Sequence, residues 1–387
     1  MIRPLVKPIR PEFSSGPCAK RPQWSLKLLK NSTLGRSHRH KSAKSKLLDV
    51  IELTKSILNI PKEYLVGIVP GSDTGAIEMA MWNFLGLKPI TMLVWDSFSS
   101  DWAKDIKSEL KLENVDVSQV DYGKLPSLNN INFEGDIVFN WNGTTAGVCV
   151  PNANWINASR SGLTICDATS AAFAMDIDWS KIDVGTFSWQ KCLGGEAGHG
   201  MVILSPNAIE RINSYNPTWP IPKLFQLKKN GKLNLDIFLG STINTPSMLC
   251  VEDFLDALAW ANNIGGLSEL ISRSKNNLKT IKSWVSNSSW AEFLCEDVSN
   301  LSNTSICLKL VDPRIINFPI EMKNKIEKNI IKLLEIEKVA FDIGSYRSAP
   351  PGLRIWGGPT VENEDIKKLL PWLDWAYQKS INNLKDK

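Results

Sequence analysis

The run SWQKCLG (188–194) sets a single lysine, Lys191, between apolar and glycine neighbours, and 24 residues earlier GLTICDATS (162–170) carries an apolar run into Asp167. A lysine amine is a nucleophile only when it gives up its proton, which burial or a cationic neighbour can arrange. A carboxylate at the carboxyl end of a strand stands where open α/β sheets bind ligands. Each residue also has a plain reading: Lys191 as a solvated surface lysine, and Asp167 as a cap on the following ATSAAFAM.

Taken together, the two residues match one chemistry. Pyridoxal 5′-phosphate needs a lysine to form a Schiff base with its aldehyde. It also needs a carboxylate to keep its ring nitrogen protonated, so that the ring can accept electrons. Its phosphate needs backbone N–H groups at a helix N-terminus, and PGSDTGA (70–76) supplies a glycine-rich turn with Ser72, Asp73 and Thr74 just before a helical pattern. No GK[ST] follows, so the turn is not a Walker loop. GGEAGHG (194–200) lacks the strand–GxGxxG–helix order and reads as a tight turn beside the lysine.

Apolar runs at 64–70, 91–95, 136–141, 162–167, 184–189 and 200–205 read as strands, with helical patterns at 74–86 and 100–111 between them. The alternation predicts an α/β fold with a mainly parallel sheet buried on both faces. The last two runs are too close for an intervening helix, so one neighbouring pair is expected to be antiparallel. Helices are predicted at 247–266, 267–285, 321–337 and 363–379, and strands at 305–311, 339–344 and 353–356. The chain of 387 residues exceeds the usual span of one core. The expected division is an N-terminal segment with a basic stretch (1–60), a large domain (61–266), and a connecting helix with a small α+β domain (267–387).

The 43% hydrophobic and 22% charged residues are the balance of a soluble globular chain, and no apolar run is long enough to span a membrane. MIRPLVKPIRPEF is basic, but prolines break it and no apolar core follows, so a secretory signal is not expected. Seven cysteines without CxxC spacing fit free thiols in a reducing cytoplasm. The three histidines have no cysteine spacing to make a zinc site. Between Glu12 and Asp49 lie nine Lys/Arg and no acid, whereas the remainder from Asp49 onward carries a net charge of −6. With Trp24 its only aromatic besides Phe13, this stretch suits an anion-binding wall better than a nucleic-acid arm.

The chain resembles the phosphoserine aminotransferases, within fold type I of the pyridoxal-phosphate enzymes. The likeness runs through FSSGPCAKRPQW (13–24), LGRSHRHKSAKSKL (34–47), PGSDTGAIEMAMW (70–82), FNWNGTTAGV (139–148), CDATSAAFAMDIDW (166–179), SWQKCLGGEAGHG (188–200), STINTPSML (241–249) and PPGLRIWGGPTVE (351–362). It spans nearly the whole chain and looks closest to an alphaproteobacterial and archaeal branch. The resemblance implies a large domain with a seven-stranded-type sheet and a homodimer with shared active sites. It implies amino transfer from glutamate to 3-phosphohydroxypyruvate, in serine biosynthesis.

Residue by residue, the resemblance makes Lys191 the Schiff-base lysine, Asp167 the ring-nitrogen partner and Trp102 the stacking aromatic. Thr144 is expected on the phenolic oxygen, and Gln190 with the Ser72–Thr74 turn on the phosphate. Asn244 and Thr245 are expected to reach the partner subunit's cofactor phosphate. Arg354 is expected to hold the substrate α-carboxylate, with Ser15 of SSGP beside it, and His38 and Arg39 to bind the substrate phosphate. Many family members place an arginine in the cofactor turn where this chain has Asp73. Arg36, His40 or Lys41 is therefore expected to add to phosphate recognition. The rival readings are an alanine–glyoxylate or serine–pyruvate aminotransferase, a cysteine desulfurase using Cys192, and a nucleic-acid-binding scaffold.

Overall fold

The computed structural model describes residues 2–385. The large domain is built on seven strands: β1 (Leu65–Pro70), β2 (Ile90–Val94), β3 (Val115–Gln119), β4 (Asp136–Asn140), β5 (Thr164–Asp167), β6 (Val184–Ser188) and β7 (His199–Leu204). Their order across the sheet is β1-β7-β6-β5-β4-β2-β3. β7 runs antiparallel to both β1 and β6, and the other neighbouring pairs are parallel. The antiparallel pair expected from the short 189–200 connection is therefore β6–β7.

Both faces of the sheet are covered. Val138, Ile165, Val202 and Leu204 pack on one side with α2 (Ser72–Phe84), α3 (Ser97–Lys104) and α4 (Pro206–Ser214). Ile137, Phe139, Cys166, Met201 and Ile203 face the other side, with α1 (Lys41–Ile57), α5 (Met248–Asn263) and α6 (Gly266–Val285) in the same core. Successive strand residues thus alternate between two apolar layers, which is why the central strands read as unbroken apolar runs. β3 is different. It lies at the sheet edge, no residue of it is fully buried, and its sequence VDVSQ gives no apolar run. The sequence reading misses it for that reason.

The small domain is an antiparallel sheet of β8 (Ala291–Phe293), β9 (Ser305–Leu310) and β10 (Gly352–Trp356), packed with α7 (Ile320–Ile336) and α8 (Asn363–Lys385). The strand expected at 339–344 does not form. Phe341 and Gly344 make only isolated bridges, to Glu12 and Leu353, because the segment is shared between the N-terminal chain and β10. The N-terminal segment joins this domain through Phe341 N–H to the Pro11 carbonyl (2.9 Å) and Trp356 N–H to the Phe13 carbonyl (3.0 Å). All seven cysteines are free, and six are buried. No helix among the described residues is long and apolar enough to cross a membrane.

One buried ion pair ties α4 to the sheet. Arg211 donates to Asp136 through both terminal nitrogens, at 2.9 and 3.1 Å, and to the Phe84 carbonyl at the end of α2. Asp136 also accepts from the Leu163 N–H at 2.8 Å. Removing the arginine leaves a fully buried carboxylate without its counter-charge. Arg211→Ala is expected to cost about 3–5 kcal/mol, read as a lowered urea midpoint.

Candidate active site

The β5 and β6 strands lie side by side with Asp167 opposite Thr186, so the chain leaving each strand enters the same crevice. Lys191 follows β6 by three residues and is 8% exposed, while Asp167 ends β5 at 7% exposed. The cavity they share has a volume of about 330 Å³ and is lined by Gly16, Pro17, Ser72, Asp73, Thr74, Phe98, Trp102, Thr144, Asp167, Thr169, Ser188, Gln190, Lys191, Ala197 and Tyr346. This is the size range of small-molecule pockets.

Lys191 Nζ donates to the Ser15 carbonyl at 2.5 Å. Burial lowers its pKa below that of an ordinary lysine; the nearby Cys18 thiol opposes the shift, and Arg354 adds to it. Gly16 has φ +155°, a conformation that favours glycine, and a Cβ there would stand 2.4 Å from this amine and displace it. Asp167 accepts from Trp102 Nε1 at 3.2 Å and from the Thr169 N–H at 2.9 Å. These two donors fix the orientation of its carboxyl group.

Trp102 is delivered by α3, whose start is fixed by Asp96. Its carboxylate accepts from the Ser99 N–H (2.9 Å), from the Thr145 N–H and hydroxyl (3.2 Å each) and from Asn140 Nδ2 (3.3 Å). Ser99 returns a bond to the Asp96 N–H, closing a capping box. The α2 turn lies across the same cavity. Gly71 has φ +85°, and a Cβ on Gly75 would fall 2.2 Å from the Pro70 carbonyl oxygen, so this tight turn is glycine-dependent. The first-turn N–H groups of a helix lack partners within it, and Ser72, Asp73 and Thr74 of this turn line the cavity.

The small domain contributes Arg354, on β10. Its guanidinium lies 5.5 Å from the Tyr346 ring, and its Nε is buried without a hydrogen-bond partner. Tyr346 also lines an adjoining cleft of about 730 Å³, with Asp96, Ser97, Tyr122, Arg347 and Ser348. Ser15 Oγ lies 3.3 Å from Ser305 Oγ, and the Ser305 hydroxyl donates to the Thr144 carbonyl at 2.5 Å. The N-terminal segment, the small domain and the large domain therefore meet at the site.

The structure brings Lys191, Asp167, Trp102, Thr144, Gln190, Ser72, Asp73 and Thr74 around one cavity, with Ser15 and Arg354 beside it. It does not bring His38, Arg39, Asn244 or Thr245 there within a single chain. His38 and Arg39 stand just before α1, where the His38 side chain is covered and Arg39 is exposed. Asn244 and Thr245 lie in the loop preceding α5, away from the cavity. Trp102 spends its indole N–H on Asp167. The sequence reading misses Phe98, Thr169, Ser188 and Tyr346. Thr169 and Ser188 lie inside the quoted motifs and Phe98 close to Trp102, but a hydroxyl or ring there carries no distinctive spacing of its own.

The donor set fits a phosphorylated pyridine aldehyde. Ser188 Oγ and Thr169 Oγ1 are buried at the cavity without hydrogen-bond partners. With the α2 N-terminus they offer polar contacts for a phosphate, and Lys191 and Asp167 supply an amine and a carboxylate.

No family model matches the chain. A phosphoserine aminotransferase structure from Cytophaga hutchinsonii has the same fold, with a TM-score of 0.79 at 22% identity, covering 94% of this chain and 98% of that one. The fold is thus that of the aminotransferases, with the lysine cavity at the carboxyl ends of the parallel strands. The phosphoserine aminotransferases of Methanosarcina mazei and Methanosarcina barkeri are each 54% identical over 376 residues, covering 97% of this chain and 99% of theirs. The chain belongs to the phosphoserine aminotransferase family.

The lowered pKa of Lys191 sets a test independent of any reaction. A buried amine with a depressed pKa is deprotonated at pH values where surface lysines are still charged. Pulse labelling of the protein with a small amine reagent across pH, mapped by mass spectrometry, is expected to show Lys191 reacting at lower pH than the exposed lysines. Identical pH profiles would show that burial does not shift it.

Proposed function

We infer that this chain is a pyridoxal-phosphate-dependent phosphoserine transaminase, moving the amino group of L-glutamate to 3-phosphohydroxypyruvate. The observation that carries the reading is a buried Lys191 and Asp167 in one cavity under the α2 turn, in a chain 54% identical to named phosphoserine aminotransferases. The same relatives favour this activity over an alanine–glyoxylate or serine–pyruvate aminotransferase. When bound, the cofactor supplies an electron-accepting ring and an aldehyde for amine exchange.

Lys191 would hold the cofactor covalently, and Asp167, Trp102, Thr144, Gln190 and the Ser72–Thr74 turn would seat it. Burial keeps the Lys191 amine unprotonated and available, so it can take a proton from the substrate α-carbon and return it. The Ser15 carbonyl aims that amine and the Gly16 backbone shapes its approach. Asp167, held by Trp102 and Thr169, would face the cofactor ring nitrogen from the cavity wall. Arg354 would clamp the substrate α-carboxylate through a planar fork.

The second substrate group is a phosphate or a side-chain carboxylate, and both need cations. The basic stretch stands outside this chain's own cavity, so the reading places His38, Arg39, Asn244 and Thr245 at a partner subunit's site. Exposed Leu26, Leu28, Leu34, Leu239 and Leu249 support a homodimer built on that face. The segments carrying them are tied together by Thr33 and Lys46, which both bond Glu252 of α5. Large exposed apolar groups clustered on linked elements mark an interface.

Shared sites predict complementation. Lys191→Ala alone and Asn244→Ala/Thr245→Ala alone should each be nearly inactive. Mixed heterodimers should regain activity, because one of their two sites then carries both defects and the other neither. Absence of recovery in demonstrated heterodimers would count against shared sites.

Phosphate recognition gives a second test. Arg39→Ala is expected to lower kcat/KM for phosphohydroxypyruvate roughly ten- to a hundredfold, for one charge-assisted contact of about 1.5–3 kcal/mol. The loss for hydroxypyruvate should be far smaller. Equal losses on both would assign Arg39 to the fold or the cofactor.

A further inference from the structure

His199 joins elements of the site that the reading above treats separately. It opens β7, opposite Pro70 at the end of β1, and is 9% exposed. Its ring stacks on Trp189, with centroids 4.6 Å apart and 20° between the planes. Trp189 stands just ahead of Gln190 and Lys191, and its carbonyl accepts from the Gly195 N–H at 2.9 Å, closing the turn that carries the lysine. Trp189 also stacks on Phe254 of α5, at 4.8 Å and 9°.

The second attachment of α5 is polar. Ser247, which caps this helix, donates its backbone N–H to His199 Nε2 at 3.2 Å. Phe254 follows about two helical turns later, so α5 meets the stacked rings at two separate points. The residues on either side of His199 hold the α2 turn. The Gly198 carbonyl accepts from the Gly71 N–H at 3.1 Å, and a Cβ on Gly200 would fall 2.3 Å from the Ser72 carbonyl oxygen. The α2 turn, the Lys191 turn and the start of α5 therefore meet at the first residues of β7.

Any flat ring would serve the stack, but only a nitrogen lone pair can receive the Ser247 N–H. His199 Nδ1 is buried without a partner, so the bond from Ser247 is the one that orients the imidazole. To accept, Nε2 must carry no hydrogen, which puts the proton of the neutral ring on Nδ1. Burial favours that neutral ring by lowering its pKa to about 4. We propose that His199 is a positioning residue, a neutral Nδ1–H imidazole that accepts from Ser247 while stacked on Trp189, and so sets the 241–246 loop in register with the Lys191 turn.

The loop placed in this way carries Asn244 and Thr245. With those residues serving the partner subunit's cofactor, His199 ties the phosphate seat of one site to the loop that completes the other. That consequence alone rests on the function proposed above. Two substitutions separate the acceptor from the ring. His199→Phe keeps an aromatic face for Trp189 and removes the acceptor. His199→Gln removes the face and keeps an oxygen that can accept from Ser247.

Hydrogen exchange of the Ser247 amide in the intact protein reads the difference. Exchange is expected to be roughly three- to tenfold faster in His199→Phe than in wild type, for the loss of one ordinary hydrogen bond, and close to wild type in His199→Gln. Unchanged exchange in His199→Phe would overturn the proposal, as would the reverse order of the two variants, which a purely packing role gives. Nitrogen-15 spectra of the histidine-labelled wild-type protein are the second measurement, needed if a variant fails to fold. With three histidines in the chain, few imidazole signals compete. His199 is expected to hold its proton on Nδ1 at neutral pH, and a proton on Nε2 would equally overturn the proposal. Neither readout uses transamination, so failure here and failure of the functional reading can be told apart.

Discussion

Everything at the site depends on an amine and a carboxylate being buried together at the ends of two paired strands. The β5–β6 register sets Asp167 beside Thr186, and Lys191 follows three residues after β6. Burying either charge alone is expensive, so each must be offset locally. Asp167 is offset by two N–H donors, and Lys191 by a lowered pKa that favours its neutral form. The same desolvation that makes the lysine costly to bury makes its amine useful as a base. The reactive state is a property of the packing.

The supporting elements are placed by polar anchors inside an apolar framework. Asp96 gathers donors from α3, from Asn140 at the end of β4 and from Thr145, and thereby fixes where Trp102 enters the cavity. Burial raises the pKa of this acid, while the hydrogen bonds from Ser99 and Thr145 hold it back. Arg211 and Asp136 do similar work at the far end of β4, joining α4 and the close of α2 to the sheet. Such groups add little apolar burial, but each fixes one geometry among many that hydrophobic packing alone would allow.

The site also spans elements that are distant in the chain. Ser15 touches Lys191 through its carbonyl and faces Ser305 of the small domain, while Ser305 bonds Thr144 of the large domain. A change in the angle between domains must therefore move Ser15, Arg354 and Tyr346 relative to Lys191. The basic stretch before α1 stands apart from this junction. Lys20, Arg21 and Lys46 spend their charge on Asp253, Asp256 and Glu252 of α5, while Arg36, Arg39 and Lys41 stand exposed.

The alternating apolar runs determined the fold class, because central strands covered on both faces cannot hide their composition. They also determined the antiparallel pair, since the 189–200 connection is too short for a helix. The same logic failed for β3, an edge strand with a polar face, and for 339–344, whose backbone is divided between two partners. Lys191, Asp167 and the glycine turn were legible because their chemistry demands particular residue types at strand ends and helix starts. Phe98, Thr169, Ser188 and Tyr346 were not, because hydroxyls and rings take their role only from what they face. Local sequence fixes which groups are present, and the tertiary packing alone sets their distance and desolvation, which decide their charge.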